Sequence, residues 1–328
     1  MVAARAGVGR GTASRALTGA PDVSRRAREA VERAAAELGY RPNRAARSLV
    51  TRRTDSIGLV VSETEEQLFG DWFFGAIVRG VNAELADSDV QLIFTMARSD
   101  ADRQRLEHYA LNRHVDGLLL VSTHGDDPLP QTLARAGVPV VMAGRPLAAE
   151  GILVIDADNR GGARQATEYL IELGRRRVAT ITGPLDMSAG TDRLEGYYDA
   201  LRAAKRRPAK SLVAHSDFTE ESGHAAMEAL LRREPTLDAV FVASDLVAAG
   251  ALRALRDAGR SVPHEVAVVG FDDRPVARLL QPPLTTIRQP IDEMGRRMTR
   301  MLLDTIRGEP VTERAIVLPT ELVVRESA

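Results

Sequence analysis

The sequence predicts a small all-α head followed by an α/β core of two parallel-sheet, Rossmann-like lobes. Three observations carry this expectation: charge is unevenly divided, the first 40 residues repeat with a helical period, and the rest alternates apolar runs with amphipathic segments, twice over. Of the 328 residues, positions 1 to 54 hold twelve Arg against four acidic side chains, a net of +8, while the remainder nets −9. A fixed cluster of cations on one small domain is the electrostatic footprint of a phosphate-backbone ligand, because each neutralised phosphate releases counterions. A merely solubilising surface would carry the same charge.

The head reads as three short helices. Val2 to Ala6 is a helical fragment, Gly7 supplies the left-handed turn, and a second helix runs from Arg10 to Leu17, closed by Thr18-Gly19-Ala20-Pro21. This is helix-turn-helix spacing. Ser24 is placed to cap a third helix, whose Ala27, Ala30, Val31, Ala34, Ala35 and Leu38 share one face up to Gly39.

In the acidic body, apolar runs at 56–61, 90–95, 117–121 and 138–142 alternate with helical patterns near 73–86, 101–113 and 128–136. A second series, at 177–182, 211–214, 239–243 and 266–271, alternates with helices near 161–173, 190–204, 220–232 and 246–258. Near-continuous apolar strands with helices between them mean parallel sheets covered on both faces. Facing each other across their strand C-terminal ends, two such lobes form a cleft for a small polar ligand.

Other classes find little support. With no cysteine there are neither disulfides nor thiolate metal sites. No run approaches the ~20 apolar residues of a membrane span, so a cytoplasmic protein without membrane contact is expected. The six histidines form no His-Glu-x-x-His pair, and neither a glycine-framed serine nor a phosphate-cradling loop ending in Lys-Ser or Lys-Thr occurs. Neither catalysis nor a cofactor is expected.

The segments Val2-Ala3-Ala4-Arg5-Ala6-Gly7-Val8, Thr12-Ala13-Ser14-Arg15-Ala16-Leu17, Val23-Ser24 and Leu38-Gly39-Tyr40-Arg41-Pro42-Asn43 resemble, in order and spacing, the head of the lactose and galactose repressor family. Further on, Val115-Asp116-Gly117, Asp158-Asn159, Gly183-Pro184 with Arg193-x-x-Gly196, Ala243-Ser244-Asp245 and Val269-Gly270-Phe271-Asp272-Asp273 fall where that family has them. The similarity covers nearly the whole chain. It implies a periplasmic-binding-protein-like core and a regulator that binds a pseudo-palindromic double-stranded DNA operator as a homodimer, most often as a repressor. A small-molecule effector, a sugar being favoured, would control DNA affinity from the cleft. The implied division is a head at 1–42, a hinge helix and linker at 43–54, and a core at 55–328, with a first lobe of about 55–156 plus 290–314 and a second of about 157–289 plus 315–328. A solute-binding protein of sugar transport shares such a core but has no use for an arginine-rich head; a sugar-modifying enzyme is a more distant alternative.

By the resemblance, Arg10, Gly11 and Arg15 occupy the base-reading positions of the second helix in the major groove. Arginine can take guanine O6 and N7 as a bidentate pair, though a backbone contact by Arg10 stays open, and Gly11 has no side chain to read with. Thr12, Ser14 and Ser24 are expected to hold phosphates. In the hinge, Asn43 caps a short helix after Pro42, Arg44 and Ala46 lie in the minor-groove segment, and Leu49 is the candidate wedge that kinks the duplex, against an ordinary linker leucine. Such a short helix cannot stand alone, so pairing across the dimer axis would order it. The expected dimer surface is the helix near 73–86 with the one after Pro128.

Cleft candidates at strand ends and helix starts are Ser62, Asp71, Phe73 and Arg145 from one lobe and Arg193, Asp245, Asp272 and Gln289 from the other. Aromatic faces stack on sugar CH surfaces, while Arg and Asp pair with vicinal hydroxyls. Phe74 reads better as core, Arg145 with Asp158 would make a structural ion pair, and Asp273 would cap a turn. The chain departs from the family in its first helix, which starts at Met1 and is expected to pack weakly, at Gly9 before the second helix and Gly11 within it, and at Asp71-Trp72, where Asn-Pro is customary.

Overall fold

Two six-stranded sheets organise the core, and a three-helix head precedes them. The computed structural model describes residues 1–17, 22–40, 53–145 and 151–328. Asn43, Arg44, Ala46 and Leu49, and with them the expected hinge helix, lie outside the described residues, as does the turn at 18–21.

In the head, α1 (Val2–Arg5) and α2 (Arg10–Leu17) pack on α3 (Arg25–Glu37). Gly7 turns the chain at φ +67°, a conformation open to glycine without cost, and the Ser24 hydroxyl accepts from the Ala27 N–H at 3.3 Å to cap α3. Contrary to the weak packing expected of so short a first helix, Val2 is only 7% exposed and joins Ala13, Ala16, Val31 and Ala34 in a common core. Small alanines let the three helices approach closely enough for four residues to suffice.

The first sheet has the order β11-β5-β4-β3-β1-β2 and is parallel throughout: β1 (Ser56–Val61), β2 (Gln91–Met96), β3 (Gly117–Val121), β4 (Val140–Ala143), β5 (Leu153–Ala157) and β11 (Ala315–Leu318). Alternate residues of β1 explain its two coats. Ile57, Leu59 and Val61 face a core with α5 (Trp72–Leu85) and α12 (Ile291–Arg307), whereas Val60 faces the other side with α6 (Asp100–Leu111) and α7 (Leu129–Arg135). A short α4 (Glu65–Gly70) begins in a capping box between Thr64 and Gln67. α5 and α12 touch backbone to backbone, since a Cβ on Gly80 would stand 2.1 Å from the Asp292 carbonyl oxygen.

The second sheet has the order β12-β10-β9-β8-β6-β7, built from β6 (Val178–Thr182), β7 (Val213–His215), β8 (Ala239–Val242), β9 (Ala267–Asp272), β10 (Thr285–Arg288) and an antiparallel β12 (Glu321–Val323). Helices α8 (Asn159–Glu172), α9 (Ser188–Ala203), α10 (Glu220–Arg233) and α11 (Asp245–Asp257) cover its faces. Side chains of Asp158, Thr219 and Ser244 cap α8, α10 and α11.

One detail corrects the sequence-based division. Residues 315–318, expected in the second lobe, form β11 and pair with β5 in the first sheet. The chain therefore crosses between lobes after β5, after β10 and between β11 and β12, and the 284–287 run lies wholly within the second sheet. The physical reason is that an edge strand needs only one neighbour, and β11 finds it beside β5 before the chain turns back.

Candidate functional site

Between the carboxyl ends of the two sheets lies a cavity of about 600 Å³. That is where loops leaving parallel strands converge, so its walls come from segments distant in sequence. Glu63 and Asp71 follow β1, Ser122 and Thr123 follow β3, Arg145 follows β4 and Asp156 lies on β5; from the other lobe come Ser188 and Arg193 on α9, Phe218, Asp272 at the end of β9, Arg274 and Gln289.

The polar centre is a network around Asp272, which is 3% exposed. One carboxylate oxygen accepts from Gln289 Nε2 at 2.6 Å, with Arg193 Nη1 at 3.5 Å, and the other accepts Nε of Arg274 at 2.8 Å. Asp272 holds this position with φ at +113°, a conformation costly for a side-chain-bearing residue and typical of sites that pre-organise ligand contacts. Arg193, 5% exposed, donates Nε to Asn159 Oδ1 at 2.8 Å and lies over the Phe271 ring at 3.8 Å. Asn159 passes the chain on to Asp156 at 2.9 Å. Burial pulls the Arg193 guanidinium down from its ordinary range and pushes the Asp156 carboxyl up to about 6. Asp71 is likewise raised by burial, although Arg274 at 2.8 Å pulls it down.

At one rim, His124 Nδ1 stands 3.0 Å from Asp186 and Nε2 stands 3.1 Å from Glu63. Two carboxylate acceptors require both ring nitrogens to donate, so the ring is an imidazolium. The hydrogen bond to Glu63, which also accepts from the Ser122 hydroxyl, outweighs desolvation and lifts His124 to about 9.

Of the expected cleft residues, Asp71, Phe73, Arg145, Arg193, Asp272 and Gln289 all line the cavity, and Ser62 and Asp245 do not. Ser62 continues the first sheet at the end of β1, its N–H on the Val121 carbonyl at 3.3 Å. Asp245 is fully enclosed beneath the wall, where it accepts from the Thr286 hydroxyl at 2.5 Å and the Arg274 N–H at 2.7 Å; desolvation raises its pKa well above the carboxylate range. It supports the site from below. Arg145 pairs with Asp192 at 2.7 Å across the lobes, not with Asp158, whose carboxylate caps α8. Asp273 takes Arg288 and Arg325 as ion partners in place of a turn cap. Phe74 is core, and its ring also reaches the cavity. The sequence reading missed Arg274, Asp156, Asn159 and Phe218. Extending the strand-end rule by two residues past Asp272 would have found Arg274, and reading 153–157 as a strand would have found Asp156.

On the head, Arg10, Gly11, Ser14 and Arg15 are exposed along α2 and Thr12 is half-buried, while Ala13 and Ala16 face the core. Arg15 lies 3.5 Å from Asp22, and the Ser24 hydroxyl is engaged at the start of α3. No grouping of His, Asp and Glu suited to a metal ion occurs among the described residues, and no described helix is long and apolar enough to cross a membrane.

A helix-turn-helix with an exposed cationic second helix, joined to a two-lobed core with a polar cleft, defines a DNA-binding regulator that responds to a small molecule. Comparison with known proteins agrees. A family model for "Bacterial regulatory proteins, lacI family" matches residues 2–43, and one for a "Periplasmic binding protein-like domain" matches residues 167–328. The chain is 54% identical to the HTH-type transcriptional regulator CelR of Thermobifida fusca, over 100% of its own length and 97% of that protein's. Among solved structures, a CelR–cellobiose complex is 52% identical with a TM-score of 0.82, covering 100% of this chain and 98% of that one. The lac repressor dimer bound to operator and an anti-inducer is 28% identical with a TM-score of 0.84, covering 99% and 97%. The chain belongs to the LacI family of bacterial regulatory proteins. It is thus a ligand-responsive transcriptional regulator and not an enzyme.

Proposed function

We propose that the chain represses transcription by binding a pseudo-palindromic operator as a homodimer, and that a neutral disaccharide of the cellobiose type, held between the lobes, controls its grip on DNA. The observation that carries the ligand class is the cavity's charge and size. Eight carboxylates and four guanidiniums line it, a balance that repels sugar phosphates and suits vicinal hydroxyls. Covalently bonded heavy atoms each take well under the ~30 Å³ of a liquid water, so a hexose of about twelve heavy atoms fills much less than ~360 Å³ and a disaccharide of about 23 stays below ~690 Å³. The cavity of about 600 Å³ suits the larger. Phe73 and Phe218 supply stacking faces, Arg193, Asp272, Gln289, Asp71 and Arg145 supply donors and acceptors, and the CelR structure, itself a complex with cellobiose, supports the choice.

On DNA, Arg10 and Arg15 read base edges, Thr12 and Ser14 hold phosphates, and the 43–49 segment pairs with its partner copy so that Leu49 wedges the central step. Because DNA and sugar bias one equilibrium, the coupling is reciprocal: whatever factor the sugar applies to operator affinity, the operator applies to sugar affinity. Titration calorimetry with cellobiose, glucose, a hexose phosphate and a purine tests the cleft. Cellobiose should bind tightest, and stronger binding of the phosphate or the purine would overturn the ligand class. Leu49→Ala should weaken operator binding far more than non-specific binding; a uniform loss across sequences would remove the wedge.

A further inference from the structure

Polar contacts at the cleft rims join the two lobes: Gln67 Nε2 to the Asp217 carbonyl, His124 to Asp186, and Arg145 to Asp192. These partners are open to solvent, which screens them. Arg274 with Asp71 is different, because this ion pair spans the lobes with side chains only 7% and 14% exposed.

We propose that Arg274 is a positioning residue for the regulatory step: fixed to the second lobe, it holds Asp71 and with it the start of α5, so that opening and closing of the cleft is transmitted into the first lobe. Three bonds secure the guanidinium's own side. Nε and Nη2 both donate to Asp272 Oδ2 at 2.8 Å, and the Arg274 N–H donates to Asp245 at 2.7 Å. Only Nη1 crosses, to Asp71 Oδ1 at 2.8 Å. That same oxygen accepts the Phe73 N–H at 2.7 Å and so caps α5. A single atom therefore serves both the helix start and the interlobe bond.

When the lobes part, this pair must separate, and the largely buried Arg274 and Asp71 each lose a charged partner, which makes the contact a determinant of the lobe angle. A ligand in the cleft favours the joined state. α5 cannot absorb the pull by sliding on its neighbour, because Gly80 and Gly295 bring its backbone against that of α12. The two helices move as one body.

The molecule carries its own reporter. Trp72, the chain's one tryptophan, is the first residue of α5, directly after Asp71, with the Arg79 guanidinium 4.5 Å over its ring. The test is a double-mutant cycle on the full chain, Asp71→Asn and Arg274→Gln singly and together, read by acrylamide quenching of Trp72 with and without cellobiose. Asparagine caps a helix as well as aspartate, so Asp71→Asn removes the cross-lobe charge and keeps the start of α5. Each single variant should raise quenching in the ligand-free protein, the double variant should go no further than the larger single, and Arg274→Lys should restore part of the loss. Additive effects, or quenching unchanged in both singles, would overturn the role of Arg274. Because this role deepens the reading of the cleft as a sugar site, the two fail differently. A wild-type Trp72 signal indifferent to cellobiose, with the ligand-free cycle still non-additive, would refute the disaccharide and leave the interlobe clamp standing. A responsive signal with an additive cycle would do the opposite.

Discussion

Raising the pH through 9 should release the His124 contact across the cleft rim. Its pKa is lifted from 6.5 to about 9 chiefly by the hydrogen bond to Glu63, with Asp186 of the other lobe adding to it. A group whose folded pKa is raised contributes stability that is fully present below the unfolded value and lost as pH climbs through the folded one. Here the full contribution stands below 6.5 and disappears through about 9. At 1.36 kcal/mol per pH unit the rise corresponds to ~3 kcal/mol, and since the ring is 32% exposed, solvent screening reduces this to about 1–2 kcal/mol. The perturbation is His124→Gln, which keeps a polar side chain and cannot take the second proton. Thermal unfolding of both proteins at pH 6 and pH 10 should show the variant lower by about 2–6 °C at the acid value, with the gap closing at the alkaline one. A gap of the same size at both pH values would refute the imidazolium bridge, because a purely steric or packing loss has no reason to titrate.

Gly80→Ala should cost about 1–3 kcal/mol in thermal or urea unfolding, since its new methyl would stand 2.1 Å from the Asp292 carbonyl oxygen and force α5 from α12; an unchanged midpoint would show that the helices can part freely. Arg193→Met should abolish sugar binding in calorimetry and also destabilise by about 3–5 kcal/mol, because Asp272 and Asn159 lose a buried partner; retained affinity would remove Arg193 from the ligand site. Asp156, raised by burial to about 6, imposes a cost on folding that is absent below its ordinary 3.8 and complete above about 6. Asp156→Asn should therefore narrow the stability difference between pH 4 and pH 7, and an unaltered difference would place that titration elsewhere.

Much of the fold was legible because its signals are local. The β1 and β3 boundaries follow apolar runs read directly at 56–61 and 117–121, and Gly7 and Ser24 mark the head's turn and cap through their own backbone and side-chain chemistry. α12 carried an equally clear stripe in Ile291, Met294, Met298, Met301 and Leu302 but was passed over, as was β5, whose run at 153–157 lies close to the start of α8. Asp245 illustrates the opposite limit. Its place at the start of α11 is local, but whether its carboxylate faces a cavity or lies under one depends on Thr286 and Arg274, which come from other strands and loops.

The sequence by itself determined a basic three-helix head, a doubled βα core, the strand-end positions of Asp272 and Gln289 and the helical position of Arg193, because periodicity, caps and charge act over a few residues. Only the tertiary structure decided that β11 joins the first sheet, that Asp156 and Asn159 stand behind Arg193, and that Arg274 reaches Asp71 across the cleft. Those contacts join residues up to some 200 positions apart, and their strength comes from the exclusion of water, a property of the packed lobes that no stretch of chain possesses alone.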